Sequence, residues 1–149
     1  MTPIYIHQIE VRFVDCDPMG HVNNAVYLSY LEQARFGLWR RLWGFTGESA
    51  RTAAGGTGLI LARVECDFRA AATYGDVLEV RIGLNGIGRT SFTYDYEIAD
   101  AATGRLMTTA RTVLVCYDYS SATPVVIDAE RRQALSRSFA GGQQNSDRV

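Results

Sequence analysis

Polar and apolar residues alternate at the start of the chain. Ile9, Val11 and Phe13 interleave with Glu10 and Arg12, which predicts a strand over residues 4–14. The period then lengthens. Tyr27, Leu28, Leu31, Ala34, Leu38 and Leu42 recur at spacings of three and four, one face of a long α-helix. Asn23 and Asn24 stand where helix caps belong, and Gly44 is a natural stop. Residues 45–58 are small and polar, a flexible loop and candidate pocket rim. Alternation returns over residues 59–68, with Ile60, Ala62, Val64, Cys66 and Phe68 on one face and Arg63, Glu65 and Asp67 on the other. It continues over 77–84 (Leu78, Val80, Ile82, Leu84), 89–99 (Phe92, Tyr94, Tyr96, Ile98) and 105–118. Turns fall at 70–76, 85–88 and 100–104. A short helix over 130–139 and a disordered tail over 141–149 complete the pattern.

The order β-α-β-β-β-β, with short turns late in the chain, predicts antiparallel hairpins. One long helix needs a sheet face to bury its apolar stripe, so the fold class is α+β with the sheet wrapped around the helix. A single domain over residues 1–140 is expected. The last long strand carries Met107, Val113, Val115 and Tyr117 opposite Leu106, Ala110, Leu114 and Cys116. A sheet with one face in water has no use for both sets, so a stable oligomer is expected.

Composition narrows the function. The 149 residues suffice for one cored domain, and 47% hydrophobic with 21% charged residues is ordinary for a globular protein. A net charge of −1 argues against a general nucleic-acid binder. Every basic residue is arginine, so no lysine serves as Schiff base or phosphate clamp. No apolar run spans a membrane, and the first residues lack the regions of a signal peptide. Cys16, Cys66 and Cys116 are widely spaced, as suits reduced thiols in the cytoplasm. Gly47-Glu48-Ser49-Ala50-Arg51 lacks the last glycine of a hydrolase elbow, and Gly55-Gly56-Thr57-Gly58 lacks the lysine of a phosphate loop. Two distant histidines make no metal pattern.

The chemistry concentrates in Asp15-Cys16-Asp17-Pro18-Met19-Gly20-His21, which runs into the helix. Asp17, Pro18 and Gly20 occupy favoured positions of a tight turn, and local sequence leaves shaping that turn as a full account of Asp17. The loop is also aimed at a helix N-terminus, where unpaired N–H groups and a positive dipole could stabilise a developing negative charge.

The combination Asp17, Gly20, His21, Asn23, Asn24, Tyr27, Glu32, Ala34 and Arg35 closely resembles the signature of the 4-hydroxybenzoyl-CoA thioesterase family. The likeness extends through Phe68, Tyr74-Gly75-Asp76, Gly88-Arg89-Thr90-Ser91-Phe92, Gly104 and residues 113–118. It departs at Ala70-Ala71-Ala72, where the family often has proline, and after Arg89, where some members add basic residues. The resemblance implies a hotdog fold, about five antiparallel strands around a long central helix, in a homodimer or homotetramer with its site between subunits. It implies hydrolysis of an acyl-CoA, with Asp17 as nucleophile or general base. The Asn24 N–H would be the oxyanion donor, with His21 and Tyr27 positioning substrate and Arg89 and Ser91 contacting the coenzyme. No metal or resident cofactor is implied, since coenzyme A is part of the substrate. The alternatives are a non-catalytic acyl-binding protein, an enzyme using acyl carrier protein thioesters, and an enoyl-thioester hydratase. Asp15, chemically identical to Asp17, is expected to matter far less.

Overall fold

Helix α1 spans Asn24–Trp43, and both its ends follow from its sequence. The Asn23 side chain accepts the Ala25 N–H at 2.9 Å, while Gly44 closes the helix at φ 63°, a conformation that glycine adopts without steric penalty. The computed structural model describes residues 1–46 and 56–144. Most of the expected pocket-rim loop therefore lies outside the described residues, as do residues 145–149 of the expected tail.

The inward face of α1 is Tyr27, Tyr30, Leu31, Ala34, Arg35, Leu38 and Trp39. Leu28, expected in that stripe, is 40% exposed. Tyr30 and Trp39 are inward because their polar tips find partners, the Tyr30 hydroxyl on Asp15 and the Trp39 indole on the Tyr94 hydroxyl.

Among the described residues, six antiparallel strands form one sheet: β1 (Tyr5–Glu10), β2 (Thr57–Phe68), β3 (Val77–Ile87), β4 (Ser91–Asp100), β5 (Leu106–Asp118) and the two-residue β6 (Thr123–Pro124). Their order is β1-β3-β4-β5-β2, with β6 paired to the end of β5. The sixth strand is the short one that alternation could not reveal. The α1 stripe packs with Leu78, Val80, Ile82, Phe92, Tyr94, Tyr96, Ile98 and Leu114 of the sheet in one core. Burial of these side chains, at about 25 cal/mol per Å² of apolar surface, is the main force holding helix to sheet. A second helix, α2 (Ala129–Gln144), extends past the expected boundary near residue 140. Its approach fixes the β3–β4 turn, with Ile127 N–H on the Arg89 carbonyl (2.9 Å) and Arg132 on the Gly88 carbonyl (2.6 Å). Among the described residues, no helix is long and apolar enough to cross a membrane.

Three elements differ from the alternation pattern, each for a local reason. Strand β1 ends at Glu10, because the Arg12 N–H and guanidinium both bond Asp15 and close a 3-10 turn over Phe13–Asp15. That turn rolls Phe13 and Val14 outward and Asp15 inward. Strand β2 is bulged between Leu61 and Arg63. Its pairing puts Leu59, Leu61, Val64, Cys66 and Phe68 opposite the core-facing residues of β5, and Ile60 on the other face with Arg63. Strand β3 runs through the expected turn to Ile87, absorbing Asn85 in a bulge whose side chain bonds Asp95 at 2.8 Å.

Candidate active site

The loop between β1 and α1 is a narrow hairpin built from the bottom up. Asn23 N–H donates to the Asp15 carbonyl (3.0 Å), Cys16 pairs with Val22, and Asp17 N–H donates to the His21 carbonyl (2.9 Å). Gly20 N–H then closes the tip on the Asp17 carbonyl at 3.0 Å, with φ 84° at Gly20, where a side chain would strain the backbone. Val22 N–H ties the hairpin to the Ala72 carbonyl at 2.9 Å. The turn read from Asp17-Pro18-Met19-Gly20 is therefore present.

Asp17 is half-buried at this tip. One carboxylate oxygen accepts the Met19 N–H at 2.9 Å, and the other has no hydrogen-bond partner among the described residues. The turn thus occupies half of the group and leaves half available. His21 is exposed, with no side-chain partner among the described residues. Asn24 is the first residue of α1, and among the described residues its N–H is likewise unpartnered. A free carboxylate oxygen and a free helix-terminal N–H therefore sit on one short loop. That pairing suits attack on a carbonyl and stabilisation of the resulting oxyanion.

Tyr27 is placed differently from a substrate-facing hydroxyl. It is buried, its oxygen accepts the Ala72 N–H at 3.2 Å, and its ring meets Phe68 and Tyr30 edge to face. Burial pushes its phenol pKa up, so it stays neutral. Arg89 lies in the turn between β3 and β4 and Ser91 opens β4, Arg89 exposed and Ser91 half-buried. The Asp17 hairpin stands where β1 ends and β3 begins, whereas Arg89 follows the far end of β3. Eleven residues of strand lie between. At about 3.3 Å per residue, roughly 30 Å separates the two groups within one chain. One chain brings Asp17, His21 and Asn24 together and leaves Arg89 and Ser91 at the opposite end of the sheet.

Asp15 is the residue that sequence reasoning undervalued. It is only 3% exposed, and its carboxylate accepts four bonds: Arg12 N–H (2.9 Å), Nε (3.2 Å) and Nη2 (2.7 Å), and the Tyr30 hydroxyl (2.8 Å). Sequence alone places it at a strand end, with the chemistry of Asp17 and less expected of it. The available signal was the Arg-x-x-Asp spacing, which lets a turn close on itself. The Arg12 side-chain bond holds the Asp15 carboxyl below its ordinary 3.8, opposed by burial. Ionised Asp15 therefore stabilises the fold above the unfolded pKa, and that contribution disappears as pH falls through the lower folded value. Acidification below pH 3.8 should lower the melting temperature, and Asp15→Asn should show a smaller part of that drop. Equal slopes in the two proteins would contradict it.

Residues 11–135 match the model of a family described as the thioesterase-like superfamily. The chain is 26% identical over 130 residues to the long-chain acyl-CoA thioesterase FadM of Escherichia coli (strain K12), spanning 87% of this chain and 96% of that one. It superposes on the crystal structure of a thioesterase complexed with coenzyme A and Zn from Thermus thermophilus. That match has a TM-score of 0.79 at 27% identity, covering 93% of this chain and 96% of the other. A 1,4-dihydroxy-2-naphthoyl-CoA thioesterase from Synechocystis gives a TM-score of 0.80 at 23% identity, covering 89% and 95%, a likeness of fold.

Proposed function

The chain belongs to the thioesterase-like superfamily and is a thioester hydrolase, and on that premise we propose that it hydrolyses acyl-CoA with Asp17 as the reacting carboxylate. The observation that carries this reading is the carboxylate oxygen of Asp17 without a partner among the described residues, on the hairpin that leads into the unpartnered N–H at the start of α1. Asp17 attacks the thioester carbonyl or removes a proton from the water that does. In both routes the carbonyl oxygen becomes an oxyanion, and the Asn24 N–H, with the positive end of α1 behind it, is suited to hold it. Where water attacks, the C–S bond breaks to give the free acid, and the thiolate takes the proton that Asp17 removed. Where Asp17 attacks, the thiolate leaves from a mixed anhydride on Asp17, and water then cleaves that anhydride to the free acid, restoring the carboxylate and giving the thiolate its proton. His21 is free to contact the substrate, while Tyr27 acts as an apolar wall with Phe68. The reaction as proposed needs no metal or resident cofactor.

The coenzyme contacts come from a second copy. Among the described residues, strand β2 is a 12-residue edge strand bonded only to β5, and its helix-side residues Leu61, Val64 and Phe68 are all at least 36% exposed. A long apolar edge left open is a template for another strand. Leu28 borders the same side of α1: it lies nine residues from Gly37, which meets Tyr5 of β1, and nine residues make two and a half turns, so the two face opposite sides. A twofold axis across β2 pairs the Phe68 end of one copy with the Thr57 end of the other. The partner's β3–β4 turn comes with that Thr57 end, since Ser91 and Thr57 both pair with the last residues of β5. Asp17 of one subunit thereby gains the partner's Arg89 and Ser91, the two groups that one chain holds roughly 30 Å apart.

If the Arg89 guanidinium meets a coenzyme phosphate, Arg89→Ala should raise KM more than it lowers kcat. For an exposed ionic contact the change should be about two- to fivefold, shrinking as salt rises. An unchanged KM at low salt would remove Arg89 from the site.

A further inference from the structure

Asp17 sits on a hairpin whose tip is exposed, yet whose base is anchored by a buried charge. Asp15 stands two residues before Asp17 and holds the hairpin in two ways. Its carbonyl takes the N–H of Asn23, the capping residue of α1, and its carboxylate takes the Tyr30 hydroxyl from the second turn of that helix. Arg12, on the segment arriving from β1, supplies the remaining bonds to the carboxylate. The hairpin base is therefore bound to the strand before it and to the helix after it. We propose that Asp15 is a positioning residue for the hydrolysis, its buried carboxylate fixing the hairpin so that the Asp17 oxygen keeps its place relative to the Asn24 N–H. This rests on the reading of Asp17 given above. A carboxylate is suited to the role because all its neighbours donate, and it is a pure acceptor. Asparagine has the same shape but turns an NH2 group toward an arginine or a tyrosine hydroxyl, so at least one bond is lost and the charge with it. A displacement of about 1 Å at a reacting group is enough to slow a reaction on the order of a hundredfold.

The test is steady-state hydrolysis of an acyl-CoA that the wild type cleaves, with thiol release followed well below the melting temperature of each variant. Asp15→Asn should lower kcat at least tenfold while leaving KM within about threefold, since substrate contacts are untouched. Tyr30→Phe removes one of the four bonds and should give a smaller fall of the same kind. The double variant Asp15→Asn/Asp17→Asn should be no slower than Asp17→Asn alone, because the first change acts only through the second residue. A merely structural role predicts otherwise: a lower melting temperature with kcat intact in the folded protein, or losses that multiply in the double variant. Either result overturns the proposal. Should Asp15→Asn fail to fold, the kcat of Tyr30→Phe decides alone, and an unchanged value counts against it. Silence of the wild type on every acyl-CoA would instead strike the underlying substrate reading.

Discussion

Asp17→Asn should yield a folded, acyl-CoA-binding protein whose turnover has fallen by roughly two to four orders of magnitude, the range for losing a general base. The amide keeps the size of the carboxylate and still offers an oxygen to the Met19 N–H, the one bond the side chain makes among the described residues, at 2.9 Å. Asparagine is also favoured at that turn position. The hairpin, its Gly20 closure and the bridge between Cys16 and Val22 should therefore persist, and the melting temperature should move little. What disappears is the second, unpartnered oxygen with its negative charge, and an amide is both a poor nucleophile and a poor base. Retained activity would leave the turn as the better account of Asp17. Binding should survive and could even tighten, because a negative charge next to the thioester has gone; isothermal titration with a slowly cleaved analogue reads it directly.

A charge planted in the open edge should be equally damaging, although Val64 is none of the proposed site residues. Val64 is 36% exposed in the single chain, so Val64→Asp is tolerable there. In a twofold pairing of β2 edges each copy would bury that carboxylate against apolar neighbours, at a cost of several kcal/mol per ion. The wild type should scatter light with twice the 16.5 kDa chain mass, or a higher even multiple, at micromolar concentration. The variant should fall to one chain mass and lose thiol release more than a hundredfold, because Asp17 would no longer have the partner's Arg89 turn beside it. A monomeric wild type would refute the assembly. A monomeric variant with full activity would show that one chain holds a complete site.

The parts of this structure that were legible are those set by short-range chemistry. Asn23 and Gly44 bracket α1 because capping needs only a side-chain oxygen at one end and a left-handed residue at the other. Asp17 to Gly20 turn because proline and glycine leave few other conformations. The illegible parts depend on contacts distant in sequence or on single-residue slips. Ala62 looks like one more member of an alternating face, but the bulge beside it moves Ile60 to the opposite side. Asn85-Gly86 reads as a turn, yet Asp95 across the sheet captures the asparagine and the strand continues. Leu28 fits the helical period as well as Leu31 does, and the partners of Tyr30 and Trp39, Asp15 and Tyr94, show which side of the stripe turns inward. Of the candidate site, Asp17, His21 and Asn24 were legible as neighbours. The separation of Arg89 from them emerged only from the length of β3 and the order of the sheet.

The central claim is hydrolysis of acyl-CoA by the Asp17 carboxylate, and free thiol is its most direct signature. A panel of acyl-CoAs, aromatic and aliphatic and of graded chain length, would be incubated with wild type and Asp17→Asn side by side, with thiol and acid both quantified. The same acyl groups on acyl carrier protein, and an enoyl-CoA, complete the panel. Hydrolysis by Asp17 predicts equal amounts of thiol and free acid from at least one acyl-CoA with the wild type, and almost none with the variant. No thiol from any acyl-CoA, thiol only from the carrier protein, hydration of the enoyl thioester without thiol release, or equal rates in the two proteins would contradict it.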